Sequence, residues 1–180
     1  MMKQTFLLCM TILSLTGICL AQNAPASSSI HLAQNGDTSY VIALASDAIP
    51  AEKTAAQQFQ KYFQQITGAA IDIKPETAVA ADAPQILIGA GSRVKVLLPR
   101  QNLGSDGIVI KTAGSNLILA GGRPRGTLYA VFQFLEDVAG CRWWMPTEST
   151  IPHKSTFTIS PLDITYVPPF TYREHFTNGV

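Results

Sequence analysis

Residues 116–146, N-L-I-L-A-G-G-R-P-R-G-T-L-Y-A-V-F-Q-F-L-E-D-V-A-G-C-R-W-W-M-P, constrain this chain more than any other segment. Residues 116–120 form an apolar run too short for a helix and bounded by glycines, as a buried strand is. Residues 125–139 then carry Leu128, Val131, Phe132, Leu135 and Ala139 at helical spacing, with Glu136 beside that stripe. Gly140 stops the helix, because glycine adopts the left-handed conformation that closes a helix C-terminus. Residues 141–144 are aromatic and read as a second strand. Strand, glycine turn, helix, glycine stop and strand in succession specify an α/β layer architecture.

The rest of the chain supplies partners for this unit. Residues 30–33 and 40–45 flank an Asn35-Gly36-Asp37 turn and predict an opening hairpin. Residues 50–67 predict a first helix, with Pro50 in the first turn, Glu52 placed to favour the helix dipole, and Ala55, Phe59, Phe63 and Ile66 on one face. Gly68 ends it. Residues 70–74 read as a half-exposed strand, 75–84 as an alanine-rich loop, and 85–88 as a buried strand running into Gly89-Ala90-Gly91-Ser92. Residues 92–100 fit a short helix or a turn. Residues 107–112 and 116–120 predict a hairpin closed by Ala113-Gly114-Ser115. Residues 156–159 form a late strand after the turn-rich segment 146–155. Residues 161–169 carry three prolines and read as an extended connector. Residues 170–175 start a new element just before the chain stops at Val180, which predicts a fragment or an early stop.

Residues 1–21 read as a secretory signal peptide. Lys3 precedes the apolar run 6–20, which is short for a bilayer span, and Cys19 and Ala21 are small residues placed for a cut after Ala21. Ile18 before Cys19 argues against lipidation. Cleavage leaves no membrane span and an exported, periplasmic or extracellular chain. It removes Lys3 from 13 basic residues, leaving 12 against 12 acidic ones. That balance offers no surface for nucleic acid. Cys141 is then the only cysteine, so no internal disulfide is possible and the core must hold the fold. Its apolar neighbours predict burial. Residues 22–29 are a polar, flexible lead-in to a domain expected over 30–160, with 161–180 as linker and the beginning of a further domain.

Two stretches are candidates for function. Gly121, Gly122, Arg123, Arg125 and Gly126 join a strand to a helix N-terminus, where free N–H groups and two guanidinium groups suit a carboxylate. The plainer reading is preferred: glycines make the turn, Pro124 starts the helix, and an arginine pairs with an acid of this or a neighbouring domain. Trp143 and Trp144 are adjacent on a strand, so they point to opposite faces, one to the core and one outward. The outward one, with Glu148 nearby, is a candidate contact for another domain or a sugar. Gly89-Ala90-Gly91-Ser92 lacks the rest of a dinucleotide or phosphate-loop fingerprint and reads as a tight turn. Glu136 and Asp137 point apart on their helix, and His31, His153 and His175 share no metal-ligand spacing. No catalytic residue, metal site or cofactor is assigned.

A family resemblance rests on these residues. L-A-G-G-R-P-R-G-T-L-Y-A-V (119–131), F-L-E (134–136) and G-C-R-W-W (140–144) resemble the domain that precedes the catalytic barrel in bacterial α-glucuronidases, β-hexosaminidases and related large secreted hydrolases. The helix 51–68, the segment I-L-I-G-A-G (86–91), and Pro168-Pro169-Phe170 with Tyr172-Arg173-Glu174 are similar to other parts of that domain. The resemblance implies a β-hexosaminidase domain-2-like accessory domain, a single mixed sheet with two helices on one face. It also implies that the hydrolytic carboxylates belong to a C-terminal barrel, the expected partner, which residues 1–180 do not contain. Three functions follow as expectations. The first is a non-catalytic front domain of a glycoside hydrolase acting on polysaccharide or glycan. The second is a free-standing carbohydrate-binding module using an exposed tryptophan. The third is a small hydrolase built from Arg125, Glu136 and Glu148.

Overall fold

The computed structural model describes residues 29–98 and 102–170. The expected signal peptide, most of the lead-in and, apart from Phe170, the element expected over residues 170–175 lie outside the described residues. At the centre is a six-stranded mixed sheet. Its strands are β2 (Val41–Leu44), β3 (Ile73–Pro75), β4 (Gln85–Ile88), β5 (Ile108–Ala113), β6 (Asn116–Gly121) and β10 (Asp163–Tyr166), in the order β10-β5-β6-β4-β2-β3. β3, β2, β4 and β6 are parallel, and β5 runs antiparallel to both β6 and β10. β4 is buried at every residue, as expected for a central strand covered on both faces. The β5–β6 hairpin closes through Gly114, whose φ of 59° suits glycine.

Both main helices lie on one face. α1 (Pro50–Thr67) follows β2, and α3 (Gly126–Phe134) follows β6 and continues as a π-helical turn over Leu135–Ala139. Phe59, Phe63 and Ile66 of α1 meet Ala130, Val131 and Phe134 of α3 above Ile42, Ile86, Ile88, Leu117 and Leu119. The Phe59 ring lies 5.7 Å from Phe63 and 5.9 Å from Phe134. Each such phenylalanine contributes about 1.5–3 kcal/mol by burial. Thr127, Ala130 and Phe134 form the centre of the inner face, whereas Leu128 and Phe132 are only half-buried. Val131, Leu135 and Ala139 of the expected stripe are fully buried; the helix is apolar around much of its circumference, so periodicity does not show that the contact also takes in Ala130 and Phe134.

Both helices end on left-handed glycines, Gly68 (φ 78°) and Gly140 (φ 91°). Lys154 ties the two ends together: its N–H donates to the Ile66 carbonyl at 2.6 Å and its Nζ to the Ala139 carbonyl at 2.8 Å. The opposite sheet face is covered by the short α2 (Ser92–Leu97), whose Val94 packs with Leu87, Ile118 and Ala120.

Three expectations are corrected. β1 (Ile30–Ala33) does not form a hairpin with β2; it pairs antiparallel with β9 (Phe157–Ile159), from the far end of the domain. The turn at Asn35-Gly36 (φ 53° and 80°) redirects the chain and leaves the two strands in different sheets. The turn-rich segment after Trp144 holds β8 (Glu148–Thr150), which pairs with β7 (Arg142–Met145). The segment read as a connector contributes β10, whose residues pair with β5 from Asp163↔Lys111 to Tyr166↔Ile108. Prolines 161, 168 and 169 flank those four residues, so they do not interrupt the pairing.

Candidate functional site

The glycine turns after β4 and β6 meet beside the first turn of α1. Glu52 of α1 is 1 % exposed. Its Oε2 accepts the Ile49 N–H at 3.0 Å and its Oε1 the Ala90 N–H at 3.3 Å. Arg123, from the second glycine turn, donates Nε to Oε1 at 3.1 Å and Nη2 to Oε2 at 3.0 Å. Asp47 adds a carboxylate 3.6 Å from the same Nη2. Hydrogen bonding to Glu52 raises the Arg123 pKa; burial opposes this, and the charges of Glu52 and Asp47 add to the rise. A buried carboxylate is tolerated only when it is paired and hydrogen-bonded, and Glu52 is both.

Glu76, in the 3₁₀ turn Glu76–Ala78, plays a parallel part. It accepts the Ser92 N–H at 3.1 Å, the Ser92 hydroxyl at 2.9 Å and the Arg93 N–H at 2.5 Å, at the start of α2. Gly89 and Gly91 make room for these two acids. A Cβ on Gly89 would stand 2.9 Å from Cδ of Glu52, and one on Gly91 would collide with Oε2 of Glu76. The tight-turn reading of Gly89-Ala90-Gly91-Ser92 thus gains a physical cause. The N–H groups that a phosphate loop would offer to a ligand are used here by the protein's own carboxylates.

The second turn is equally committed. Arg125 forms a two-point pair with Asp106, Nε to Oδ1 at 2.9 Å and Nη2 to Oδ2 at 3.0 Å. That hydrogen bonding, then the Asp106 charge, raises the Arg125 pKa. Gly121, Gly122 and Gly126 lie against the backbones of Gly104 and Gly107, leaving no room for a side chain at any of the three. Pro124 does not start the helix: it follows a cis peptide bond from Arg123, and α3 begins at Gly126. The structure therefore brings Gly121, Gly122, Arg123, Arg125 and Gly126 together as one turn, with each arginine beside an acid of this domain. Sequence patterning does not single out Glu52, Glu76 and Asp106 as site residues. The signal for Glu52 is an acid in the first helical turn of a chain that also carries a G-x-G after a strand.

The tryptophans lie on the β7–β8 hairpin, apart from that turn. Trp143 packs inward, with its ring 5.3 Å from both Tyr62 and Phe132 and its N–H donating to the Tyr62 hydroxyl at 3.0 Å. Trp144 is 66 % exposed, and its N–H donates to Thr150 Oγ1 at 3.0 Å. Met145 and Glu148 are exposed beside it. Cys141 is fully buried, and burial raises its thiol pKa, partly offset by the charges of Lys154 and Arg142.

A cleft of about 340 Å³ opens between α2, the loop before β5 and the end of β6; neither Glu136 nor Glu148 lines it. Among the described residues no group of three or more His, Cys, Asp or Glu is placed to hold a metal ion, and no helix is long and apolar enough to cross a membrane.

Comparison with known proteins accords with this geometry. The fold is similar to part of a family GH115 4-O-methyl-α-glucuronidase, BtGH115A, with specificity for decorated arabinogalactans. The TM-score is 0.56 at 16 % identity, over 79 % of this chain and 19 % of that one. The chain thus spans about a fifth of the length of that protein. No curated protein matches it. The described residues form an open sheet, not a (β/α)8 barrel. Residues 26–134 match the model of the glycosyl hydrolase family 67 N-terminus, so the chain belongs to that family of α/β accessory domains of modular glycoside hydrolases.

Proposed function

We propose that this chain is the non-catalytic N-terminal domain of an exported glycoside hydrolase acting on polysaccharide or glycan, and that it supports a catalytic barrel encoded beyond residue 180. The family match over residues 26–134 carries the reading. In it, residues 1–21 are a cleaved signal peptide, 30–160 the accessory domain, and 161–180 the passage into the barrel. The exposed side chains near the end of the domain support it. Ile164 and Tyr166 pair with Ile110 and Ile108, so they project on the helix-bearing side of the sheet, where they are 37 % and 52 % exposed. Val167 and Phe170 are exposed just beyond them. Apolar side chains gathered at one edge suit a surface that another domain covers. Both arginines of the glycine turn are paired within the domain, which favours a structural role for it over substrate binding. Reading the gene past codon 180 tests the proposal. An open frame continuing into a barrel supports it, and a stop with no barrel encoded nearby overturns it.

Carbohydrate binding through the β7–β8 hairpin is a second reading, favoured by the exposed Trp144. An indole face stacks on the apolar face of a sugar ring, and Glu148 would accept its hydroxyl hydrogens. Titration of the mature chain against a glycan panel tests it. Binding lost in Trp144→Ala supports it, and a flat response across the panel removes it.

A further inference from the structure

The 340 Å³ cleft lies where the sheet changes its winding. β2 and β6 are followed by helices on one face, α1 and α3, while β4, between them, is followed by α2 on the other. The adjacent carboxyl ends of β4 and β6 therefore diverge to opposite faces. In open α/β sheets such a switch point is where a crevice forms and where ligands bind. Ala90, Val94, Leu98, Leu103 and Ala120 line the cleft here. Its volume lies at the lower end of the range for small-molecule pockets, about 300–1,000 Å³.

We propose that this cleft binds a small carboxylate with an apolar, ring-sized body. The walls set the body. A sugar would bring several hydroxyl groups against alanine, valine and leucine side chains, and burying hydroxyls without partners is unfavourable. Among the described residues Asn102 is the only uncharged polar side chain in the lining. The charge sets the head group. Among the described residues Lys95 is the only charged one in the lining; it is exposed and makes no ion pair with any of them. Glu52 and Glu76 are each paired with an arginine of their own, Arg123 and Arg93, and also accept backbone N–H groups. The site is separate from the proposed role of the domain beside a barrel, and its test needs no hydrolytic activity.

The test is a titration of the full chain, labelled with ¹⁵N, with benzoate and, separately, benzyl alcohol, with glucose as the hydroxyl-rich control. The expected result is saturable amide shifts at Ala90, Val94, Gly121 and Gly122 for both probes. In Lys95→Met, benzoate affinity falls by about two- to fivefold, the range for an exposed ion pair, while benzyl alcohol affinity holds. Lys95 is exposed, so this variant folds as the parent does, and its unchanged remaining spectrum checks that. Shifts that do not saturate, or that fall elsewhere in the domain, overturn the site. Equal benzoate affinity in parent and Lys95→Met overturns the carboxylate assignment. Glucose binding at these amides more tightly than benzoate overturns the apolar class.

Discussion

Arg123 reaches Glu52 across 71 residues of sequence and holds both oxygens of its carboxylate, at 3.1 and 3.0 Å. Glu52 is almost fully buried, whereas the arginine side chain is 38 % exposed. Three segments meet at this pair: the start of α1, the turn after β4 and the turn after β6. Breaking a buried pair from one side strands the remaining charge, at about 3–5 kcal/mol when neither partner sees water. Solvent access to Arg123 reduces that figure. Arg123→Ala is expected to lower unfolding free energy by about 1–3 kcal/mol, read as a shift in urea midpoint at constant slope. Glu52→Ala is expected to cost more, because it also strips the Ile49 and Ala90 N–H groups of their acceptor.

Two left-handed glycines, one after β4 and one in the loop before β5, make a sharper comparison. Gly89 has φ 91° and faces Glu52 at close range, whereas Gly104 has φ 57° and nothing within 4 Å of where a Cβ would stand. Gly89→Ala combines backbone strain with displacement of a buried acid, and is expected to cost about 2–4 kcal/mol. Gly104→Ala carries only the left-handed strain, about 1 kcal/mol. Equal thermal midpoints for the two variants would contradict the packing argument.

The two adjacent tryptophans should separate cleanly. Trp143→Ala removes a ring that packs on Tyr62 and Phe132, and is expected to destabilise by about 2–4 kcal/mol. Trp144→Ala is expected to change stability by no more than about 0.5 kcal/mol. Acrylamide should quench the fluorescence of Trp144 well before that of Trp143, as the two single-tryptophan variants Trp143→Phe and Trp144→Phe would show.

Cys141 and Tyr40 predict how the fold responds to alkali. Burial raises both pKa values, the thiol from 9.0 and the phenol from 10.0. A raised pKa means that the unfolded chain loses its proton first. Stability is thus full below pH 9.0, falls as pH rises from there toward the folded-state values, and levels off above them. Denaturant midpoints between neutral and strongly alkaline pH should follow that sign. A thiol reagent should leave Cys141 untouched in the native chain and label it on unfolding.

How much of this is legible in the sequence differs by element. The α1 boundaries, β4, the β5–β6 hairpin and the glycine stops are readable, because periodicity, proline and left-handed glycine act within a few residues of sequence. The β1–β9 pairing is not, since Ile30 and Ile159 find each other only once the sheet and helices are assembled. β10 is hidden for a related reason. Its four residues fall between prolines, and their strand geometry comes from an open edge on β5 that no local signal announces. In the candidate turn, the glycines and arginines stand out, but the acids that engage them come from residues 52 and 106, and from residue 76 for the neighbouring turn.

The sequence by itself determined the layer type, the two helices, the strand-to-helix glycine turns and the burial of Cys141, all consequences of local backbone preference and side-chain patterning. Only the tertiary structure decided that Trp144 faces outward while Trp143 packs on Tyr62, that Glu52 and Glu76 occupy the N–H groups a ligand would otherwise use, and that a cleft opens at the carboxyl ends of β4 and β6. Those outcomes depend on which groups remain unpaired after the chain has closed on itself. That is a property of three-dimensional neighbours, which spacing along the chain does not encode.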